Sequence, residues 1–142
     1  MDITTAHQVT LTEAEREALL AHEALGRAGE LLAARHLGRD DHLEVLARNW
    51  RVADGELRGE LDLVAVDPMR GTLVVCEVKT RRDADRFGGA VAALDHRKHR
   101  RLRALTGAFL REQGARFPSV RLDLVAIDVG HRPRLTHIVG VG

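Results

Sequence analysis

The chain has 142 residues, no tyrosine, one tryptophan, three phenylalanines, one cysteine and three prolines. Scarce aromatics leave the core to aliphatic side chains and offer few platforms on which unpaired bases could stack. A lone Cys76 excludes an internal disulfide, fits a reducing compartment, and sits in an apolar stretch that makes it a small core residue rather than a nucleophile. No apolar run is long enough to span a bilayer, and the first residues lack the basic and apolar regions of a signal peptide. A cytoplasmic protein without a membrane partner is therefore expected. The formal net charge of +1 announces no nucleic-acid binder, so any basic surface must be a local patch.

Other familiar sites are absent too. Ser119 is the only serine and stands beside a proline, which is poor ground for a serine nucleophile. Gly88-Gly89 is too short for a phosphate loop and has no Lys-Ser/Thr after it. The eight histidines suggest zinc, but His96 and His99 stand among cationic side chains with no cysteine or acidic ligand at zinc-site spacing. That spacing argues against a zinc site.

What is present is concentrated between Glu60 and Lys79. Glu-Leu-Asp-Leu-Val-Ala-Val, a Pro/Gly turn at 67–71, and Thr-Leu-Val-Val-Cys-Glu-Val-Lys predict a β-hairpin. If Val66 pairs with Leu73, then Val64 faces Val75, Asp62 faces Glu77 and Glu60 faces Lys79, all on one side. The other side would hold Leu61, Leu63, Ala65, Val74, Cys76 and Val78 as core. Two carboxylates opposite one another, with Cβ atoms about 5 Å apart, repel unless a cation lies between them. Mg²⁺ or Mn²⁺ would serve, since hard ions take oxygen ligands from one or two carboxylates. Lys79 points the same way and could deprotonate an attacking water. A solvated salt-bridge cluster of the same residues is the competing reading, and a one-residue slip in pairing would dissolve the site.

Leu61-Asp62 followed by Glu77-Val-Lys79 resembles the PD-(D/E)xK signature of restriction-endonuclease-like nucleases, with Leu where Pro is common. More closely, Gly26-Arg-Ala-Gly29-Glu30, Asn49-Trp-Arg51, Gly59-Glu-Leu-Asp62, Val75-Cys-Glu77-Val-Lys79-Thr-Arg81, Phe87-Gly88 and 98–102 resemble the uncharacterised bacterial YraN family. The resemblance runs from about Gly26 to Asp128. It implies a restriction-endonuclease-like fold and a nuclease-like site in which Asp62 and Glu77 hold metal. It also implies that Glu30 on the first helix contributes a carboxylate.

Around this hairpin the chain divides into a loose arm over 1–11 and one domain over 12–142. Thr12 and Glu15 form a capping box opening a helix that runs to about Leu37, where Gly38 ends it, or that breaks near Gly26. Gly26 and Gly29 each cost a helix about 1 kcal/mol relative to alanine, which points to a close approach by another backbone. Strands follow around 43–52, in the hairpin, over 120–129 and over 135–141. A second helix opens near Asp95 as N-cap and stops at Gly114. The resulting αβββαβ order with one more strand predicts a mixed α/β domain, its central sheet flanked by helices.

On the second helix Leu102, Leu105 and Phe109 face the core, leaving a basic face. Lys98 and Arg101 there, with Arg81, Arg82 and Arg86 before it, are candidate phosphate contacts. Glu30 shares a helical face with Gly26, Ala33, Ala34 and Leu37, so its carboxylate is half-buried either for a site or for an ion pair with an arginine such as Arg51. Asp123 lies in a near-repeat of the Asp62 strand but lacks a following Glu-x-Lys, and has no catalytic role. The expected function is a metal-dependent nuclease acting on DNA or another nucleic acid, structured or branched DNA included. The alternative is a non-catalytic nucleic-acid-binding module on the same fold.

Overall fold

The computed structural model describes residues 5–22, 25–39, 41–53, 55, 57–81, 96–114, 116–130 and 133–141. The expected turn residue Asp54, the loop 83–89 with Phe87 and Gly88-Gly89, Arg82, Arg86 and the N-cap Asp95 lie outside them.

In chain order the elements are β1 (Thr5–Thr10), α1 (Glu13–Ala21), α2 (Leu25–Arg39), β2 (Glu44–Trp50), β3 (Leu61–Asp67), β4 (Thr72–Arg81), α3 (His96–Gln113), β5 (Ser119–Asp128) and β6 (Arg134–Val139). One six-stranded sheet runs β1-β6-β5-β4-β3-β2. Only β4 and β5 are parallel, because α3 carries the chain across the sheet between them; every other neighbouring pair is antiparallel. This is a mixed α/β fold with the αβββαβ core expected of a restriction-endonuclease-like protein.

Two apolar layers hold the sheet. On one face Ala33, Ala34 and Leu37 of α2 pack on Leu63, Ala65, Val74, Cys76, Val78, Val125 and Ile127. On the other, Leu102, Leu105 and Phe109 of α3 pack on Val64, Leu73, Val75 and Leu122. The ring of Phe109 meets Trp50 edge-on, with centroids 5.3 Å apart, the geometry favoured by aromatic quadrupoles. Alternation along the strands sorts these side chains. Cys76 is fully buried, and burial pushes its thiol well above the ordinary range. It is core, as expected.

Three expectations need correction. The arm over 1–11 is not loose from Thr5 onward, because Thr5–Thr10 pairs antiparallel with β6 along its whole length and Leu11 donates its N–H to the Pro133 carbonyl at 3.0 Å. A polar strand without an apolar face has no periodicity to betray it, and its ladder comes from the far end of the chain. Of the two readings of the helix from Thr12 the continuous one fails and the break near Gly26 holds, giving two helices. The capping box between Thr12 and Glu15 is formed, but His22 is extended and ends α1, which packs against α2 so that Leu19 shares a core with Leu11 and Ala28. The second of these helices runs through Gly38 to Arg39. Gly114, by contrast, stops α3 as expected, with φ +65° and its N–H on the Leu110 carbonyl.

Of the two glycines in the first turns of α2, Gly26 has open space around it, and the neighbour of Gly29 is a side chain rather than a backbone. A Cβ at Gly29 would fall inside the Thr80 hydroxyl and 3.0 Å from the Thr80 Cβ. Gly29 therefore lets α2 lie flat on β4 beside Glu30. Gly29→Ala should destabilise the fold by about 1–3 kcal/mol, the usual cost of overpacking, and Thr80→Ala in the same chain should recover part of it. Urea unfolding of the two variants measures this.

Candidate functional site

The hairpin pairs in the expected register, from Asp67↔Thr72 through Val66↔Leu73 and Val64↔Val75 to Leu63↔Cys76. There the ladder stops. Beyond it the Val78 N–H donates to the Asp62 carboxylate at 2.9 Å, so a side chain takes a donor that backbone pairing would otherwise use. The strands part at this end, and Leu61 turns into the α3-side core with Val64 and Leu102. It was expected beside Leu63 and Ala65; the end of the ladder is what frees it.

In the gap stand the acidic residues. Asp62 and Glu77 are both buried. The Asp62 carboxyl is pushed up to about 7, first by burial, then by the charge of Glu77, with Glu30 adding to it and the Val78 N–H opposing it. Glu30, Glu60 and Asp62 each bring one carboxylate oxygen within 4.8 Å of the others. Four carboxylates from one helix, one loop and two strands thus share one end of the sheet. Cation chemistry is what such a set of hard oxygen atoms favours.

The cationic partners are arranged differently from expectation. Glu60 does not face Lys79; it binds Arg51 at 2.8 Å. The Lys79 ammonium lies 3.8 Å from Glu77. Lys98, expected on the solvent side as a phosphate contact, reaches Glu77 at 2.9 Å and is only 27% exposed. Helical spacing placed its Cα on the basic face, but a long stem can turn its head toward a buried carboxylate. The neighbouring Lys98, and then burial, hold Lys79 below the ordinary lysine range. Lys98 is raised despite the cost of its burial, through its contacts with Lys79 and Glu77. Two adjacent amines therefore share Glu77, and each bears on the other's affinity for its proton.

Arg51 does not pair with Glu30. Instead the Asn49 amide donates to Glu30 at 2.7 Å and to Glu60 at 3.2 Å. Asn49 has φ +49°, a left-handed conformation that asparagine tolerates better than most residues, and this aims its amide between the two glutamates. Sequence reasoning gave Asn49 and Glu60 no site role. The signals for them were the family-like stretches Asn49-Trp-Arg51 and Gly59-Glu-Leu-Asp62 and the expected place of Glu60 on the same side as Asp62. Arg81 is half-buried at the end of β4, its Nε without a hydrogen-bond partner. Arg101 is exposed, and its stem lies over Gly59, where φ of +103° would strain a residue with a Cβ and the added atom would crowd the Arg101 Cδ at 3.2 Å. Arg97, Arg100 and Arg103 are exposed on the same helix.

Asp123 has a structural place. It is buried and accepts from Arg121 Nε and Nη2, both at 2.9 Å, from the Gly140 N–H at 3.0 Å and from His137 Nε2 at 2.7 Å. The near-repeat has a shared use at its end as well: Asp67 takes the N–H of Met69 and Asp128 that of Gly130, each closing the turn after its strand.

Fold and site together define a mixed α/β protein with a carboxylate–lysine cluster where two central strands part. The chain belongs to the uncharacterised protein family UPF0102, which matches residues 29–127. It is similar to a UPF0102 protein of Mycolicibacterium gilvum, 49% identical over 120 residues that cover 83% of this chain and 93% of the relative. A UPF0102 protein of Mycobacterium avium is 43% identical over 128 residues, covering 89% and 95%. One of Mycobacterium ulcerans is 41% identical over 125 residues, covering 87% and 98%. Among the described residues no helix is long and apolar enough to cross a membrane.

Proposed function

We propose that this protein is a Mg²⁺- or Mn²⁺-dependent phosphodiesterase acting on nucleic acid, with DNA as the first substrate class. The observation that carries the reading is Lys79. Its amine is held below the ordinary range two residues from Glu77, which faces the buried Asp62. Perturbed titratable groups converging in one place are a mark of chemistry rather than of a solvated cluster.

The residues fit a hard divalent cation. Asp62 is kept from ionising by burial and by like charge, and a cation would relieve both. Held by Asp62 and Glu77, it would supply charge stabilisation at the phosphoryl oxygens. Lys79, when neutral, takes the proton of the attacking water. Lys98 lowers the proton affinity of Lys79 and steadies Glu77 through the 2.9 Å ion pair. Glu30 acts through Asn49, which fixes its carboxylate beside Asp62. The exposed arginines of α3 extend from Lys98 along the helix and bind phosphates without sequence preference.

Purified protein incubated with single-stranded, duplex and branched DNA and RNA should cleave at least one of them with Mg²⁺ or Mn²⁺, and EDTA should stop it. Binding without cleavage under every condition would leave the non-catalytic nucleic-acid-binding module as the function. The arginines are tested separately. Arg100→Ala with Arg101→Ala should weaken binding to unrelated sequences alike and make the log-affinity against log-salt plot shallower by about 0.9 for each duplex phosphate that is no longer neutralised. An unchanged slope would assign this face to solvent.

A further inference from the structure

We propose that His36, Asp41 and His137 form a second cation site, for a zinc-class divalent ion, built on the α2 side of the sheet and separate from the Asp62–Glu77 cluster. The three residues come from the end of α2, the segment after it, and β6, with His36 and His137 separated by 101 positions. His137 is fully buried and His36 nearly so.

The three separations bracket those of one ion's ligands, and the Asp41–His137 pair, now at hydrogen-bond distance, would open by several tenths of an ångström to admit it. His137 Nδ1 lies 2.6 Å from Asp41 Oδ2 and 3.3 Å from His36 Nε2, and His36 Nε2 lies 3.8 Å from Asp41 Oδ2. A tetrahedral ion with bonds of about 2.0–2.1 Å holds its ligand atoms about 3.3 Å apart. Two imidazole nitrogens and one carboxylate oxygen suit Zn²⁺, Co²⁺ or Fe²⁺ better than Mg²⁺. Among the described residues no fourth His, Cys, Asp or Glu joins the group, and water would complete the shell.

A second observation concerns the far side of His137. Its Nε2–H donates at 2.7 Å to Asp123, and Asp123 is itself immobilised by Arg121 and the Gly140 N–H. This arrangement, a ligand histidine whose other nitrogen is tied to a buried carboxylate, is how proteins fix the tautomer and aim of a metal-binding imidazole. With Nε2 carrying the proton, the Nδ1 lone pair is left facing an anionic oxygen 2.6 Å away. Only a cation or a further proton makes that approach favourable. Asp41, with its side chain 25% exposed, gives the ion a way in. A cavity of about 200 Å³ also reaches His36 between Leu11, Arg35, Arg39 and Leu135. Bound there, the ion would fasten the end of α2 to β6.

The test uses the full chain, stripped with EDTA and dialysed, then titrated at pH 7.5 with Zn²⁺ by calorimetry and with Co²⁺ by visible absorption. One equivalent should bind, and Co²⁺ should give the intense bands of a tetrahedral nitrogen–oxygen site. Asp41→Asn, at a partly exposed position that tolerates change, should weaken binding at least about tenfold, as should His36→Gln. Asp62→Asn should leave it unchanged, which separates this site from the proposed nuclease centre. No binding at submillimolar Zn²⁺ by the folded wild type would mean that a proton holds His137 to Asp41, and would overturn the proposal. So would binding that survives both Asp41→Asn and His36→Gln in folded variants, since surface histidines would then be taking the metal.

Discussion

Asp62→Asn should make the metal-free protein more stable at pH 8 by up to about 4 kcal/mol, while removing most of the stabilisation that Mn²⁺ gives the wild type. The folded carboxyl titrates near 7 against an ordinary 3.8, and each unit of difference is worth about 1.4 kcal/mol. Because the folded value is the higher one, the native state binds more protons between these limits, and wild-type stability falls as pH rises from about 4 to 7. Asparagine carries no charge to lose, so the variant should lack this part of the fall over that window, and its side-chain oxygen can still accept the Val78 N–H. Metal binding must displace the same proton, so wild-type affinity for Mn²⁺ should fall about tenfold per pH unit below 7. Urea unfolding at pH 5 and 8, with and without Mn²⁺, decides it; equal pH slopes in variant and wild type would remove Asp62 from the site.

Lys79→Met should lower metal-dependent cleavage by about 10²–10⁴, the range for a positioned proton acceptor, with little change in nucleic-acid affinity. Lys98→Met distinguishes a working pair from two unrelated lysines. Lys98 is the first cause of the lowered Lys79 value, so its removal should let Lys79 rise. The rising limb of the pH–rate profile should move to higher pH and cleavage at pH 7 should drop. Raising the pH should then recover cleavage by the Lys98→Met variant but not by the Lys79→Met variant. A profile displaced by neither substitution would make both amines mere counterions for Glu77.

The hairpin register was legible because a strand's period of two admits only two parities, and the apolar partners Val64, Val66, Leu73 and Val75 selected one of them. The same logic placed Asp62 next to Glu77 and found the α3 core residues. It failed where a side chain replaced backbone pairing: nothing in Leu61-Asp62 tells that the Asp62 carboxylate will take the Val78 N–H and release Leu61 to the opposite core. Lys98 was misplaced for a related reason, since helical spacing fixes a Cα but not where four methylenes carry an ammonium. The histidine cluster was invisible to motif spacing altogether. Its members meet only through the tertiary fold, which brings the end of α2 to β6 across 101 positions of sequence.

The edge strand β1 is exposed along almost its whole length, and only Val9 packs partly into the core. Its attachment is therefore a row of backbone hydrogen bonds with little apolar area behind them. Such an element opens locally at a free energy well below that of global unfolding. Its amides should exchange with solvent deuterium long before those of β4 and β5, which are buried between both layers. Each opening uncovers the outer row of N–H and C=O groups on β6, a template for a strand from another molecule. Residues 5–10 thus act as a guard for the sheet, and a chain clipped after Thr10 should associate edge to edge while its carboxylate cluster at the other side of the sheet stays intact.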